Sequence, residues 1–235
     1  MKTSTKQAGY LFERQCNAKP KKVQPFGAGK FSETFHILAE EDQEFILRIA
    51  PPDSMLQLFY EYRMMRQEPE IHNRLISETQ VPVPNIIEYD FSRMLIDRDY
   101  LIMNKLPGNP LNLTSLNNEA FQRAFREWGE YVSQIHSITE INNHFGYIGD
   151  HRPMNAQYTW QSAFRTMYRK LLDDIKDQGI YDSKNHQMAL ELLDNHLEIF
   201  DHCDTARLCH GDLWVANLLV DQSGAVTGVI DFDRA

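Results

Sequence analysis

The chain has 235 residues, 42% hydrophobic and 24% charged, enough to bury a sizeable core in one large domain or two lobes. Its formal net charge of −9 argues against nucleic acid or an anionic membrane surface as the main partner, and fits a small cationic one. Cys16, Cys203 and Cys209 make no C-x-x-C pair, the histidines show no metal-ligand spacing, and no apolar run approaches the roughly 18 residues of a membrane span.

Met1 to Thr5 lacks the apolar core of a secretion signal, so the cytoplasm is the expected compartment. Ser4 to Asn17 reads as a short leading helix with Ser4 or Thr5 as its cap, ended by Lys19-Pro20-Lys21-Lys22. Val23 to Leu38 reads as strand, glycine turn, strand, with Gly27-Ala28-Gly29-Lys30-Phe31-Ser32 as the turn. Glycines let backbone N–H groups approach an anion without a side chain in the way. A plain hairpin turn is the simpler reading of the same tripeptide. Phe45 to Ile49 is the next strand, carrying Arg48.

From Ser54, the pattern Met55, Leu58, Phe59, Tyr62, Met65 has helical spacing and predicts a core-facing helix, followed by a second helical piece over about Glu68 to Glu78. Asn85 to Tyr89 and Arg98 to Met103 read as an antiparallel pair, and Asn104-Lys105-Leu106-Pro107-Gly108 as the loop after it. Phe121, Ala124, Phe125, Trp128, Val132 and Ile135 mark a long amphipathic helix. Periodicity predicts further helices over Tyr158 to Gln178 and Gln187 to Asp201. Asp173, Asp174 and Asp177 are either a solvated helix face or a surface for a cationic ligand.

The strongest stretch is His210-Gly211-Asp212-Leu213-Trp214-Val215-Ala216-Asn217, followed by Leu218-Leu219-Val220, a turn at Asp221-Gln222-Ser223-Gly224, and Val229-Ile230-Asp231-Phe232-Asp233. Two short β-branched runs around turn residues predict a hairpin. A hairpin brings Asn217 at its entrance beside Asp231 at its exit, with Asp212 close by. Two oxygen ligands beside a free carboxylate suit a magnesium-bound phosphate. The remaining Asp212 can accept a proton from an attacking hydroxyl.

These residues resemble the core of the aminoglycoside phosphotransferase and choline kinase family, and the spacing fits the H-x-D-x-x-x-x-N loop and following metal aspartate of kinases. The resemblance implies an α+β, two-lobed protein-kinase-like fold. An antiparallel-sheet nucleotide lobe would span residues 1–104, and a mainly helical catalytic and acceptor lobe residues 105–235. It implies transfer of the ATP γ-phosphate to a hydroxyl of a small, cationic or neutral, acceptor, with Mg2+. Asp212 would be the base, His210 its brace in the catalytic loop, and Asn217 and Asp231 the metal ligands.

Gly27, Gly29, Lys30 and Ser32 would cover the phosphates, with Ser32 standing where a third glycine usually comes. Arg48 stands where the family usually presents a lysine, and arginine differs in reach and shape. Glu68 would pair with that cation, with Glu70 and Glu61 as alternatives. Met103 would pack on the adenine ring, with backbone near Asn104 and Leu106 on its edge. His136 falls in a passage common in the family and reads as an interface histidine near the catalytic loop. Family members usually continue for several helices beyond the position of Ala235, so the resemblance implies C-terminal helices missing and apolar surface exposed. Arg48 and that early stop motivate a competing reading, a non-catalytic nucleotide-binding scaffold.

Overall fold

The computed structural model describes residues 2–27, 31–139, 144–147 and 154–235. Helix α1 (Thr5–Cys16) starts at a capping box: the Gln7 amide donates to Ser4 Oγ at 3.2 Å, and the Ser4 amide donates to Gln7 Oε1 at 3.0 Å. Strands β1 (Lys22–Pro25), β2 (Glu33–Leu38), β3 (Glu44–Ile49), β4 (Ile86–Asp90) and β5 (Tyr100–Asn104) form an antiparallel sheet in the order β1-β2-β3-β5-β4. Alternation along a strand sorts its side chains between the two faces. Leu47, Ile49, Tyr100 and Ile102 face α1, whose Ala8, Leu11 and Phe12 complete a buried layer. Ile46, Leu101 and Met103 lie on the opposite face, and Arg48, two residues from Ile46, shares it.

Helix α2 (Glu68–Glu78) keeps the predicted bounds, but the segment before it does not form the expected helix. Residues 53–67 make three short 3-10 turns instead, and Met55 and Tyr62 point to solvent at 59% and 43% exposure. Pro51 and Pro52 end β3, and Arg63 adopts a left-handed φ of 55°, which an α-helix cannot contain. The helical spacing there reports alternate burial within an irregular strap. Its ends are held by ion pairs. Arg66 grips the buried Asp99 at 2.7 and 2.9 Å, and Arg93 bridges from Asp99 (2.9 Å) to Asp53 (2.8 Å).

The second layer contains β6 (Asn109–Pro110), α3 (Asn118–Ile135), α4 (Trp160–Asp177), α5 (Ser183–Asp194) and the hairpin β7 (Leu218–Val220) and β8 (Val226–Val229). Asn117, Thr159 and Asp182 cap the three helices by accepting from the backbone three residues on. The last predicted helix starts earlier than expected, at Ser183, and gives way to a 3-10 turn over Leu197–Phe200. On α3 only Ala120, Ala124 and Ile135 are fully buried, while Phe121 and Phe125 remain 49% and 40% exposed. His136 is an exposed C-cap, not an interface histidine. Its carbonyl accepts from Arg207 at 3.0 Å, and Ile135 and Ile138 do the burying.

The largest core unites both halves of the chain: Ile71, Leu75, Val81 and Val83 pack with Leu208, Leu218, Val229 and Phe232. Helix α2 is thus rooted in the same apolar mass as the hairpin. Gly224 turns that hairpin with φ 78°, and a Cβ there would overlap the Ala120 carbonyl.

Gly224→Ala is expected to lower stability by at least about 1 kcal/mol, from strained φ and backbone overlap together, measured by urea denaturation. Asp99→Asn should cost about 3 kcal/mol, because two guanidinium groups lose a buried counterion. Burial pushes the Asp99 carboxyl up, but Arg66 and Arg93 outweigh it and hold it below the usual range. A depressed folded-state value means this stabilisation is full above the unfolded value of about 4 and lost on acidification below it. The wild-type minus Asp99→Asn stability difference should therefore shrink as pH falls below about 4.

Candidate active site

The hairpin does what its sequence promises. Leu218 pairs with Val229, and the Ile230 amide donates to the Asn217 carbonyl at 3.0 Å, so the entrance and exit residues are held together. The Asn217 side-chain Nδ2 donates to the Asp212 carbonyl at 2.9 Å, which leaves its Oδ1 as a free acceptor in this bond and ties it to the loop that carries Asp212. Asn217 is buried; Asp212 is half-buried. His210 sits beneath. Its Nε2 lies 3.0 Å from the Ile230 carbonyl and its Nδ1 3.3 Å from the Asp212 amide. Both contacts are met by the neutral Nε2–H tautomer, and burial holds the imidazole below its usual value. Its ring lies 4.2 Å from that of Phe232, so His210 joins the loop to the core. Gly211, with φ 76°, brings the loop so near the Arg234 carbonyl that a Cβ would overlap it.

Asp231 itself has a left-handed φ of 73°, uncommon for a residue other than glycine and a mark of functional turns. The turn aims its carboxylate at Arg48. One terminal nitrogen of Arg48, Nη1, contacts both oxygens of Glu68 at 2.8 and 2.7 Å. The other, Nη2, contacts Asp231 at 2.6 Å and Asp233 at 3.2 Å. Of the three glutamates considered for this pairing, the structure brings Glu68 to Arg48. Glu61 instead accepts from the Gln57 and Leu58 amides within the strap. Arg48 is no exposed strand arginine: its side chain is 11% exposed, and that of Glu68 is fully buried.

Three carboxylates on one guanidinium leave two negative charges uncompensated if all are ionised. Burial and repulsion from Asp231 push the Asp233 carboxyl up to about 7, against the pull of Arg48. Burial raises Glu68 too, to about 8, while Arg48 opposes it with two short contacts. Asp231 is held low by Arg48 against its burial. Oxygen atoms of Glu68, Asp231 and Asp233 all lie within 4.8 Å of one another. Hard oxygen donors suit Mg2+; Glu68 and Asp233 are buried on Arg48, and Asp231, 35% exposed, is the carboxylate of the three open to a cation.

The remaining expected residues fall at several places. Gly27 is exposed with φ 73°, Ser32 lines a cleft with Asp233, Glu61 and Arg63, and Gly29 and Lys30 lie outside the described residues. Met103 is buried against Ile46 and Met65. The Asn104 amide is spent on the Asn85 carbonyl (3.1 Å) and its side chain accepts from the Asn85 amide (2.6 Å). Among the described hydrogen bonds none involves the Leu106 backbone.

Sequence reasoning missed several neighbours. Asp233 could have been noticed as a second acid two positions after Asp231. The Gln67 side chain, 1% exposed, donates from Nε2 to the Asp233 carbonyl, and nothing local signals that contact. Tyr60, from the strap, stacks on Tyr147 with centroids 6.1 Å apart and lies 5.6 Å beneath the Arg234 guanidinium. Burial pushes the Tyr60 phenol up and Arg234 pulls it back, while Glu61, Asp212 and Asp233 push it further. The strap therefore faces the catalytic loop. Asp174 anchors it by accepting from the Phe59 amide at 2.7 Å, and Asp173 contacts His186 at 2.8 Å, so both acids are engaged within the protein.

A five-stranded antiparallel sheet, a helix whose glutamate pairs with a strand cation, and a catalytic-type loop leading into a hairpin define a protein-kinase-like α+β fold. Residues 22–235 match the model of the phosphotransferase enzyme family (APH), and the chain belongs to that family. Solved structures agree on the fold. A protein of Haemophilus somnus 129PT described as a fructosamine-3-kinase is 19% identical with a TM-score of 0.66, over 95% of this chain and 70% of that one. A thermostable mutant of aminoglycoside phosphotransferase APH(4)-Ia, in a ternary complex with AMP-PNP and hygromycin B, is 18% identical with a TM-score of 0.64, over 96% and 70%. The GDP and kanamycin complex of APH(2")-IIia is 15% identical with a TM-score of 0.61, over 96% and 72%. No curated protein matches the sequence. Among the described residues no helix is long and apolar enough to cross a membrane.

Glu68→Ala is expected to lower stability by about 3 kcal/mol, since a buried guanidinium loses the carboxylate that meets its Nη1 through both oxygens. Glu70→Ala, at an exposed position, should change stability by less than about 0.5 kcal/mol. Thermal denaturation of the two variants side by side reads the difference, and equal losses would contradict the pairing.

Proposed function

We propose that this phosphotransferase moves the γ-phosphoryl group of ATP to a hydroxyl of a small acceptor. The observation that carries the reading is the closure of the Asn217–Asp231 hairpin mouth on the Asp212 loop, in contact with the Arg48–Glu68 pair through Asp231. In this reading residues 1–104 form the nucleotide side and 105–235 the catalytic and acceptor side. The APH(4)-Ia and APH(2")-IIia complexes hold adenine and guanine nucleotides respectively. They support nucleotide use by the fold, and the choice of ATP is ours.

Asp212 accepts the proton of the attacking hydroxyl, and its half-buried carboxylate is reachable by an acceptor. Asn217 Oδ1 and the Asp231 carboxylate hold Mg2+, which when bound offsets charge on the triphosphate. His210 is a positioning residue in this scheme, since its contacts are to the Ile230 and Asp212 backbone. Arg48 orients the α- and β-phosphates, with Gly27, Gly29, Lys30 and Ser32 as further phosphate-binding residues. Met103 forms the back of the adenine site, and backbone at Leu106 meets the adenine edge, with Asn104 bracing the strand end. Rate enhancement then comes from positioning and charge stabilisation. Tyr60, Tyr147 and Arg234 border the approach to Asp212, so the acceptor meets aromatic faces and a cation there. ATP supply places the reaction in the cytoplasm.

Asp212→Ala should reduce phosphate transfer at least about a hundredfold while leaving Mg2+·ATP affinity within about twofold. A radiolabelled transfer screen over sugars, amino alcohols, choline-like amines and aminoglycosides supplies the acceptor, and calorimetry the affinity. Full turnover in the variant would remove Asp212 from its role.

A further inference from the structure

The Arg48 contacts contain a conflict. The reading above, on which this inference rests, needs the Asp231 carboxylate on the metal, yet Asp231 is held by Arg48 Nη2 at 2.6 Å, the shortest contact that Arg48 makes. An arginine that keeps Asp231 competes with the cation for the same oxygen. A lysine would bring one nitrogen to this place; arginine brings two, and the second needs a counterion of its own. Glu68 occupies Nη1 alone.

Asp233 is placed to be that counterion. Its carboxylate lies 3.2 Å from Nη2 and its side chain is 8% exposed. It is also held from behind, because the buried Gln67 at the start of α2 donates to its backbone carbonyl. Gln67 immediately precedes Glu68, so one turn of chain fixes both partners of the arginine. We propose that Asp233 is a positioning residue that keeps Arg48 Nη2 when Asp231 turns to the metal, so that arginine can serve where a single-nitrogen cation would need no such partner.

Mn2+ binding in the presence of ADP, followed by the paramagnetic resonance signal of free Mn2+, tests this without recourse to turnover. Asp233→Asn should weaken Mn2+ binding to the ADP complex about tenfold, near 1.4 kcal/mol, because Nη2 is left with Asp231 alone. ADP affinity measured in EDTA should stay within about twofold, which a general loss of structure would not allow. Asp233→Glu, which keeps the charge, should remain within about threefold of wild type. In an Arg48→Lys background, Asp233→Asn should change Mn2+ affinity less than about twofold, the non-additivity expected of groups that act on each other. An Asp233→Asn protein that binds Mn2+ like wild type would overturn the proposal. So would an equal tenfold loss in both backgrounds, or a parallel loss of metal-free ADP binding. If wild type binds ADP but no Mn2+ at all, the metal reading above falls and the proposal with it.

Discussion

One buried guanidinium ties this molecule together. Arg48 lies on a central strand of the sheet, Glu68 on the first turn of α2, and Asp231 and Asp233 just past the C-terminal hairpin. None of these carboxylates can stay buried and charged without it, because desolvation of an unpaired carboxylate costs several kcal/mol. The sheet packs on α1, while the helix and the hairpin share a second apolar core. These four side chains add a polar junction that ties the sheet to the helix and the hairpin.

The sequence disclosed features whose cause is local. The β7–β8 hairpin follows from two β-branched runs around Asp221, whose Oδ1 accepts from the Ser223 and Ala225 amides at 2.8 and 3.0 Å. The α1 capping box and the bounds of α2 follow equally from residues within a few positions of each other. Glu68 was named through family resemblance, with two rivals; only three-dimensional packing separates them, since spacing along α2 does not say which turn faces the sheet. The strap over residues 53–67 misled periodicity, because buried residues recur at irregular intervals along a chain pinned by distant ion pairs such as Arg66–Asp99. On α3 the same period exaggerated burial. Phe121 and Phe125 stack on each other at 4.6 Å across an exposed face, an arrangement that hydrophobic spacing cannot distinguish from a core stripe.

The strap also links the sheet to the helical layer. It leaves β3 immediately after Arg48 and Ile49, crosses to α4 through the Phe59 amide and Asp174, presents Tyr60 toward Asp212, and returns to α2 just before Glu68. Both members of the Arg48–Glu68 pair are therefore its covalent neighbours. A shift of α4 acting on Phe59 would be passed along a short, proline-stiffened segment to Arg48 and Glu68. Coupling of this kind needs no rearrangement of the core: α2 stays rooted through Ile71 and Leu75, while the strap transmits a change in position from one wall of the cleft to the other. One continuous stretch of chain thus runs from a strand cation to the glutamate that holds it, past Tyr60 beside the Asp212 loop.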